Sequence, residues 1–301
     1  MTTMTHSPIA VAAPPHRRRP RFRSRLTRFA RKLPVTISIV VLMIIVVYPL
    51  VWLFLSSLKT QNEFITAPVW ALPTEWTFDN YVEAWTTGNI AGNVLNSILV
   101  TVPSLVIIIV FGVAAGYALE VLVWRGRNQV LLLFVAGIMI PGQMILVPLF
   151  IVYFRIGLTS TLWPLIITYS ALGLSLTVFM MAAYFRSIPK EIFEAATLDG
   201  SSMLRSFFVI ALPMMKNAII TIALVQFFNI WNDLLIALTF TTNPANATVQ
   251  VGLLNFSGEY GSLQYGPLFA GICINVGGLL VLYLFLNQQI MKGLASGAVK
   301  G

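Results

Sequence analysis

The polar residues able to bind a ligand or a partner fall in two clusters. The first is Gln226-Phe-Phe-Asn229-Ile-Trp231-Asn232-Asp233, set in an otherwise apolar run. Gln226, Asn229 and Asp233 stand at i, i+3 and i+7, one face of a helix. Amides and an indole donate and accept hydrogen bonds without demanding a counter-ion, which suits a neutral polyhydroxylated ligand. The same groups could equally bond neighbouring helices together in a membrane. The second cluster is Glu191, Glu194-Ala195-Ala196 and Asp199-Gly200, a polar stretch between two long apolar segments. Pro189 suits the first turn of a helix, the two glutamates lie near the positive end of its dipole, and Gly200 can supply the left-handed residue that ends it. A helix over 189–199 is too short to persist alone in water. It is expected to be held by docking, with Ile192, Phe193, Ala195 and Ala196 presenting apolar area and Glu194 a charge.

Other chemistries lack their residues. No G-x-x-x-x-G-K-[ST] loop occurs, so the chain has no phosphate cradle of that kind. The only histidines, His6 and His16, are far from any apolar segment, and the single cysteine, Cys273, permits no internal disulfide and suggests no metal cluster. Without a histidine or paired acids among apolar segments, no membrane-embedded catalytic constellation is visible. Ion-coupled carriers place ionisable groups near the membrane midplane. Here Glu120 falls at one end of its segment and Asp233 near an end of another. Energy for any transport is therefore expected from outside the chain.

The elements that must position these residues are membrane spans. Of 301 residues, 57% are hydrophobic and only 10% charged, and mean hydropathy is +0.84, against about 25% charged in soluble domains. Six apolar segments reach the ~20 residues a spanning helix needs: near 35–56, 93–119, 129–153, 161–184, 213–237 and 266–289. The fold class is all-α, a polytopic membrane protein with six transmembrane helices. The first segment exceeds a signal-peptide core and has no small-residue cleavage site, so it reads as an uncleaved anchor. With the N-terminus inside, seventeen cations fall on cytoplasmic segments and two, Lys59 and Arg155, on external ones. This bias places both termini and the 186–213 loop in the cytoplasm.

The net charge of +9 resides in residues 1–34, where nine cations from Arg17 to Lys32 precede the first acid, Glu63. This segment is expected to be a disordered basic tail held at the cytoplasmic face by anionic lipid; the competing reading, a nucleic-acid-binding arm, is the less favoured. Residues 35–289 are expected to form a six-span membrane domain, with the polar loop at 186–213, and 290–301 a cytoplasmic tail. Gly112-Val-Ala-Ala-Gly116 lets a neighbouring helix approach closely, and Pro103, Pro141 and Pro148 break the hydrogen-bond ladder of their spans, as packing kinks or as hinges.

Glu194-Ala195-Ala196, three residues, Gly200, nine residues, then Ile210-Ala-Leu212-Pro213 matches every position of the E-A-A loop of ABC importer permeases, which the chain resembles from about residue 35 onward. Thr77-Phe78-Asp79-Asn80-Tyr81, Trp231-Asn232-Asp233 and the terminal Gly293-Leu-Ala-Ser-Gly297-Ala-Val-Lys300-Gly301 are similar to segments of the carbohydrate-type, maltose-transporter-like members; Ala295-Ser296 departs from their threonine-rich pair. The resemblance implies a permease subunit in the cell inner membrane, not itself an enzyme. It would form the path for a sugar, with Gln226, Asn229, Trp231, Asn232 and Asp233 the candidate lining residues. Glu191, Glu194, Ala195, Ala196, Asp199 and Gly200 would couple it to an ATPase. Implied partners are a second homologous permease chain, two ATPase subunits or domains, an extracytoplasmic solute-binding protein and the lipid membrane, with no nucleic acid. The chain itself would bind no cofactor, ATP and Mg belonging to the partner subunits. The same architecture could import another neutral or phosphorylated solute. An ion-coupled secondary carrier is the less favoured class.

Overall fold

A run of apolar residues in lipid must satisfy its own backbone, and helices do so within one segment. The computed structural model describes residues 21–256 and 263–298, with side chains over 34–256 and 263–285. The chain divides into two units, residues 1–52 and 53–301. Helix α1 (Arg21–Ser56) supplies the first unit and carries Pro34 and Pro49 within it. Its Pro34–Ser56 portion has the length and hydropathy of a span. The expected tail over 1–34 therefore overlaps a helix that begins at Arg21, because arginine and leucine are good helix formers and the adjoining apolar turns supply the costly nucleus. Residues 1–20 lie outside the described residues.

In the second unit, α2 (Gln61–Thr66) and α3 (Asp79–Thr86) precede α4 (Ile90–Glu120). Next come α5 (Arg127–Met139), α6 (Leu146–Arg155) and α7 (Trp163–Arg186). The polar loop forms α8 (Lys190–Leu198) and α9 (Met203–Ser206). The remaining helices are α10 (Leu212–Trp231), α11 (Leu235–Phe240), α12 (Val249–Gly252) and α13 (Tyr265–Ala298). Among the described residues, five helices are long and apolar enough to cross a membrane, or six if α5 and α6 count as one broken span.

Three expected spans are corrected. The third is not continuous: its two parts meet at 86°. Pro141 pushes Ile140 out of the helical region, to φ −80°, ψ 116°, since the proline ring crowds the residue before it. Pro148 falls in the first turn of α6, where its missing N–H costs nothing. The fifth is not 213–237: it runs from Met203 to Trp231 and ends before Asp233. The last helix continues past 289 to Ala298, within the expected tail 290–301; residues 299–301 lie outside the described residues.

The two glycines of α4 work as their spacing predicts. A Cβ on Gly112 would lie 2.4 Å from Thr177 Cγ2, and one on Gly116 would lie 2.6 Å from the Met181 Cβ, so α4 and α7 touch nearly backbone to backbone. One buried cluster, including Ile108, Leu165, Tyr169 and Phe240, holds the half of the bundle near α11. Another, including Val113, Tyr117, Met181, Phe185 and Ile222, holds the half near α8. Between α1 and α4 the loop is stapled by Glu63. Its carboxylate accepts from the Thr60 and Glu75 N–H groups and from both the N–H and hydroxyl of Thr74. Burial pushes this carboxyl up, but these hydrogen bonds outweigh it and hold Glu63 below the usual carboxylate range.

Candidate coupling helix and translocation site

Helix α8 is cut out by local chemistry. Pro189, with φ −57° and ψ 130°, takes the position just before the first turn rather than inside it. At the other end Gly200 adopts φ +77°. Its N–H donates to the Thr197 carbonyl at 3.0 Å and the Ser201 N–H donates to the Ala196 carbonyl at 2.9 Å. This pair of bonds closes a helix through a left-handed residue. Glu191 lies in the first turn and is exposed, as are Glu194, Ala195, Asp199 and Gly200.

The apolar side of α8 faces its own protein. Ala196 is buried, and Ile192 and Phe193 pack on the cluster around Tyr117. The Phe193 ring meets Tyr117 edge-on at 5.9 Å, and Phe185 and Phe207 meet the same ring at 5.7 and 5.1 Å. Ile192 and Phe193, expected to present apolar area for docking, thus pack on their own chain, where Ala196 is also buried. With only nine residues, α8 needs this docking to persist. What it shows outward is Glu191, Glu194, Ala195, Asp199 and Leu198, the last 88% exposed.

Beside it, Arg186 at the end of α7 donates to both oxygens of Glu120, at 3.1 and 2.9 Å. A cavity of about 340 Å³ opens here, lined by this pair with Tyr117, Arg127, Lys190 and Glu194. From α9 the chain enters α10 through a π-turn, Phe207–Ala211, in which the Leu212 N–H reaches back to the Phe207 carbonyl. Pro213 explains the turn: in an unbroken α-helix its ring would strike the carbonyl four residues earlier. The whole E-A-A segment is thus one rigid bend pinned under Tyr117.

The five polar residues of the fifth span divide. Gln226 is 3% exposed, and its amide donates to the Gly173 carbonyl at 2.9 Å and to the Thr177 hydroxyl at 3.0 Å, both on α7. The Trp231 indole donates to Asn275 Oδ1 on α13 at 2.9 Å. One oxygen of Asp233, Oδ2, accepts from the Tyr169 hydroxyl at 2.8 Å and from the N–H groups of Ile236 and Ala237 at 2.9 and 3.2 Å. That capping starts α11 and stops α10 from running on. Asn232 is exposed and donates to the Phe228 carbonyl of its own helix.

Asn229 is exposed and makes no side-chain hydrogen bond among the described residues. It borders a cavity of about 240 Å³ with Gln226, Asp233, Tyr169 and Gly173. The i, i+3, i+7 reading therefore gathers Gln226, Asn229 and Asp233 at one cavity, while Trp231 and Asn232 turn elsewhere. Tyr169, Thr177 and Asn275 were not singled out in the sequence. Their only signal is a polar group within an apolar span, and for Tyr169 and Thr177 it is shared with the neighbouring Thr168, Ser170 and Ser175.

The chain is similar in sequence to three relatives. The diacetylchitobiose uptake system permease protein of Streptomyces coelicolor is 31% identical over 258 residues, 85% of each chain. The trehalose transport system permease protein of Mycobacterium tuberculosis is 33% identical over 84% of this chain and 92% of its own. The melibiose/raffinose/stachyose import permease protein of Bacillus subtilis is 30% identical over 84% of this chain and 91% of its own. A chain in the crystal structure of a bacterial ABC transporter that imports the acidic polysaccharide alginate shares the fold, with a TM-score of 0.73 at 20% identity, covering 92% of this chain and 99% of that one. With the match to the family described as binding-protein-dependent transport system inner membrane component spanning residues 87–289, the chain belongs to that family.

Proposed function

We propose that this chain is a permease subunit of an ATP-driven importer and carries a neutral sugar across the inner membrane. The observation that carries the reading is α8, a short helix whose apolar side is spent internally and whose acidic side stands free. Relatives that import diacetylchitobiose, trehalose and melibiose support a sugar. Both termini and α8 lie in the cytoplasm, a placement the cation count supports. Glu191, Glu194, Ala195 and Asp199 meet an ATPase subunit that holds ATP and Mg, one of a pair serving this chain and a homologous permease. Because Phe193 meets Tyr117 and Ile192 packs on the same cluster, any displacement of α8 pulls on the ends of α4, α7 and α10 together. An extracytoplasmic binding protein delivers the solute at the opposite face.

Along the path, Asn229 and Asp233 are the lining groups. An amide without a partner is costly in lipid, so its face borders water and solute. Gln226 and Trp231, whose donors are already engaged, brace the spans, and Asn232 lies at the mouth. The test is affinity purification of the complex from its membrane, identification of the copurifying chains, and uptake in proteoliposomes. Copurified ATPase with ATP-dependent sugar uptake, reduced by Asn229→Leu without loss of assembly, is the expected result. A homo-oligomer lacking an ATPase overturns the reading, and uptake confined to phosphorylated solutes overturns the sugar.

A further inference from the structure

The loop between α1 and α4 lies at the end of α4 away from α8, and it is fastened to the span ends. The Gln61 amide donates to the Leu263 carbonyl at 2.7 Å and accepts from the Tyr265 N–H at 3.0 Å. The Phe64 ring stacks on Tyr265 and Phe269 at 5.2 and 5.5 Å. Asn80 donates to the carbonyls of Ser57 and Lys59, each at 2.8 Å, and presses so closely on Gly266 that a Cβ there would lie 2.4 Å from its Oδ1. The segment is therefore tied to the start of α13 and to the residues that follow α1. A segment so fastened sits at the level where hydrocarbon gives way to headgroups, a layer about 5–8 Å deep on each side.

Helix α3 has two faces. Asn80 and Ala84 are buried, Ala84 in a cluster with Ile90, Phe256 and Ala270, and the Tyr81 hydroxyl bonds Ser57 at 2.7 Å. On the other side Phe78, Val82 and Trp85, at i, i+4 and i+7, are 65, 62 and 52% exposed. The preceding turn adds Trp70 and Trp76, both exposed. Indole rings favour this layer, apolar on one side and wet on the other.

Charge narrows the partner. The one cation, Lys59, is buried, lies over the Phe64 ring and donates to the Val69 carbonyl. No other lysine or arginine occurs between Lys59 and Arg125, whereas Glu75 and Asp79 are exposed. Such a surface offers nothing to anionic headgroups.

We propose that Trp70, Trp76, Phe78, Val82 and Trp85 form a membrane-interface anchor that seats this loop in a zwitterionic headgroup layer. The anchor fixes the depth of the bundle at the end opposite α8, and it holds whether or not the solute is a sugar. The test places a polarity-sensitive fluorophore at Phe78→Cys or Trp85→Cys in the full chain with Cys273→Ser, in phosphatidylcholine nanodiscs. Elution as an intact species verifies the fold of each variant. A headgroup spin label is expected to quench at least twofold more than a mid-chain label, with little quenching by aqueous iodide. Stronger quenching by iodide overturns the anchor, as does stronger quenching by the mid-chain label. Shielding of the probe only when a soluble protein is added also overturns it and assigns the face to a protein partner.

Discussion

Gln226 is where bracing and lining separate most sharply, and Gln226→Leu tests which it does. The substitution shortens the side chain by one atom and removes two interhelical hydrogen bonds, to Gly173 and Thr177. Within membranes such bonds average about 0.6 kcal/mol each, so the pair is worth about 1.2 kcal/mol by that measure. Part of the loss is recovered, because Thr177 stands four residues after Gly173 and its hydroxyl can turn to that carbonyl. The Gly173 side cannot fill in: a Cβ there would lie 2.5 Å from Ile108 Cδ1. A net cost near 1 kcal/mol lowers the melting temperature by about 2–4 °C for a chain of this size. Cys273, half-buried and the only cysteine, allows unfolding to be followed with a thiol-reactive dye. Uptake per folded molecule should stay within about twofold. An unchanged melting temperature with uptake lost tenfold would refute the bracing argument and return Gln226 to the solute path.

Three further perturbations read other parts of the molecule. Glu194→Lys reverses an exposed charge that makes no ion pair among the described residues, so insertion and melting should be unchanged while copurification of the ATPase falls; normal association would remove the coupling role. Gly116→Val forces a side chain into the Met181 contact, and overpacking of this kind costs about 1–3 kcal/mol, read as a fall in melting temperature and in folded yield. Glu63 has a depressed folded pKa, so its contribution is full above the unfolded value near 4.3 and is lost as pH falls through the lower folded value. The protection of the Thr74 and Glu75 amides against hydrogen exchange, relative to free amides at the same pH, should fall over that acid window and hold above it, and Glu63→Gln should flatten the response.

The spans were legible because apolar runs of spanning length have few folded alternatives in lipid. The close contact of α4 with α7 was legible in Gly112 and Gly116 for a similar reason: absent side chains leave a mark. The break at Pro141 was visible as a residue, but its 86° bend was not, because proline fixes the lost hydrogen bond without fixing the direction taken afterwards. The limits of α8 followed from Pro189 and Gly200. Its inward face did not, since Ile192 and Phe193 look equally apolar whether they meet Tyr117 or another protein. In the fifth span the five polar residues appeared as one group, and only the positions of Thr177, Tyr169 and Asn275 sort the engaged groups from the free one. Such partners are distant in sequence, and no local pattern points to them.

The π-turn at Phe207–Ala211 has a consequence for how α8 and the fifth span are phased. A π-turn accommodates one residue more than the α-helix it interrupts, and each residue of an α-helix advances the azimuth by about 100°. The face of α10 that carries Gln226 towards α7 is therefore set, relative to Leu204 and Arg205 below, by a single surplus residue. Removing any one residue from the turn would leave the composition almost untouched, yet would swing one part against the other by more than a quarter of a revolution. The count of residues between Gly200 and Pro213 thus acts as a gear ratio, and it is the number, more than the identity, of those residues that the architecture must keep.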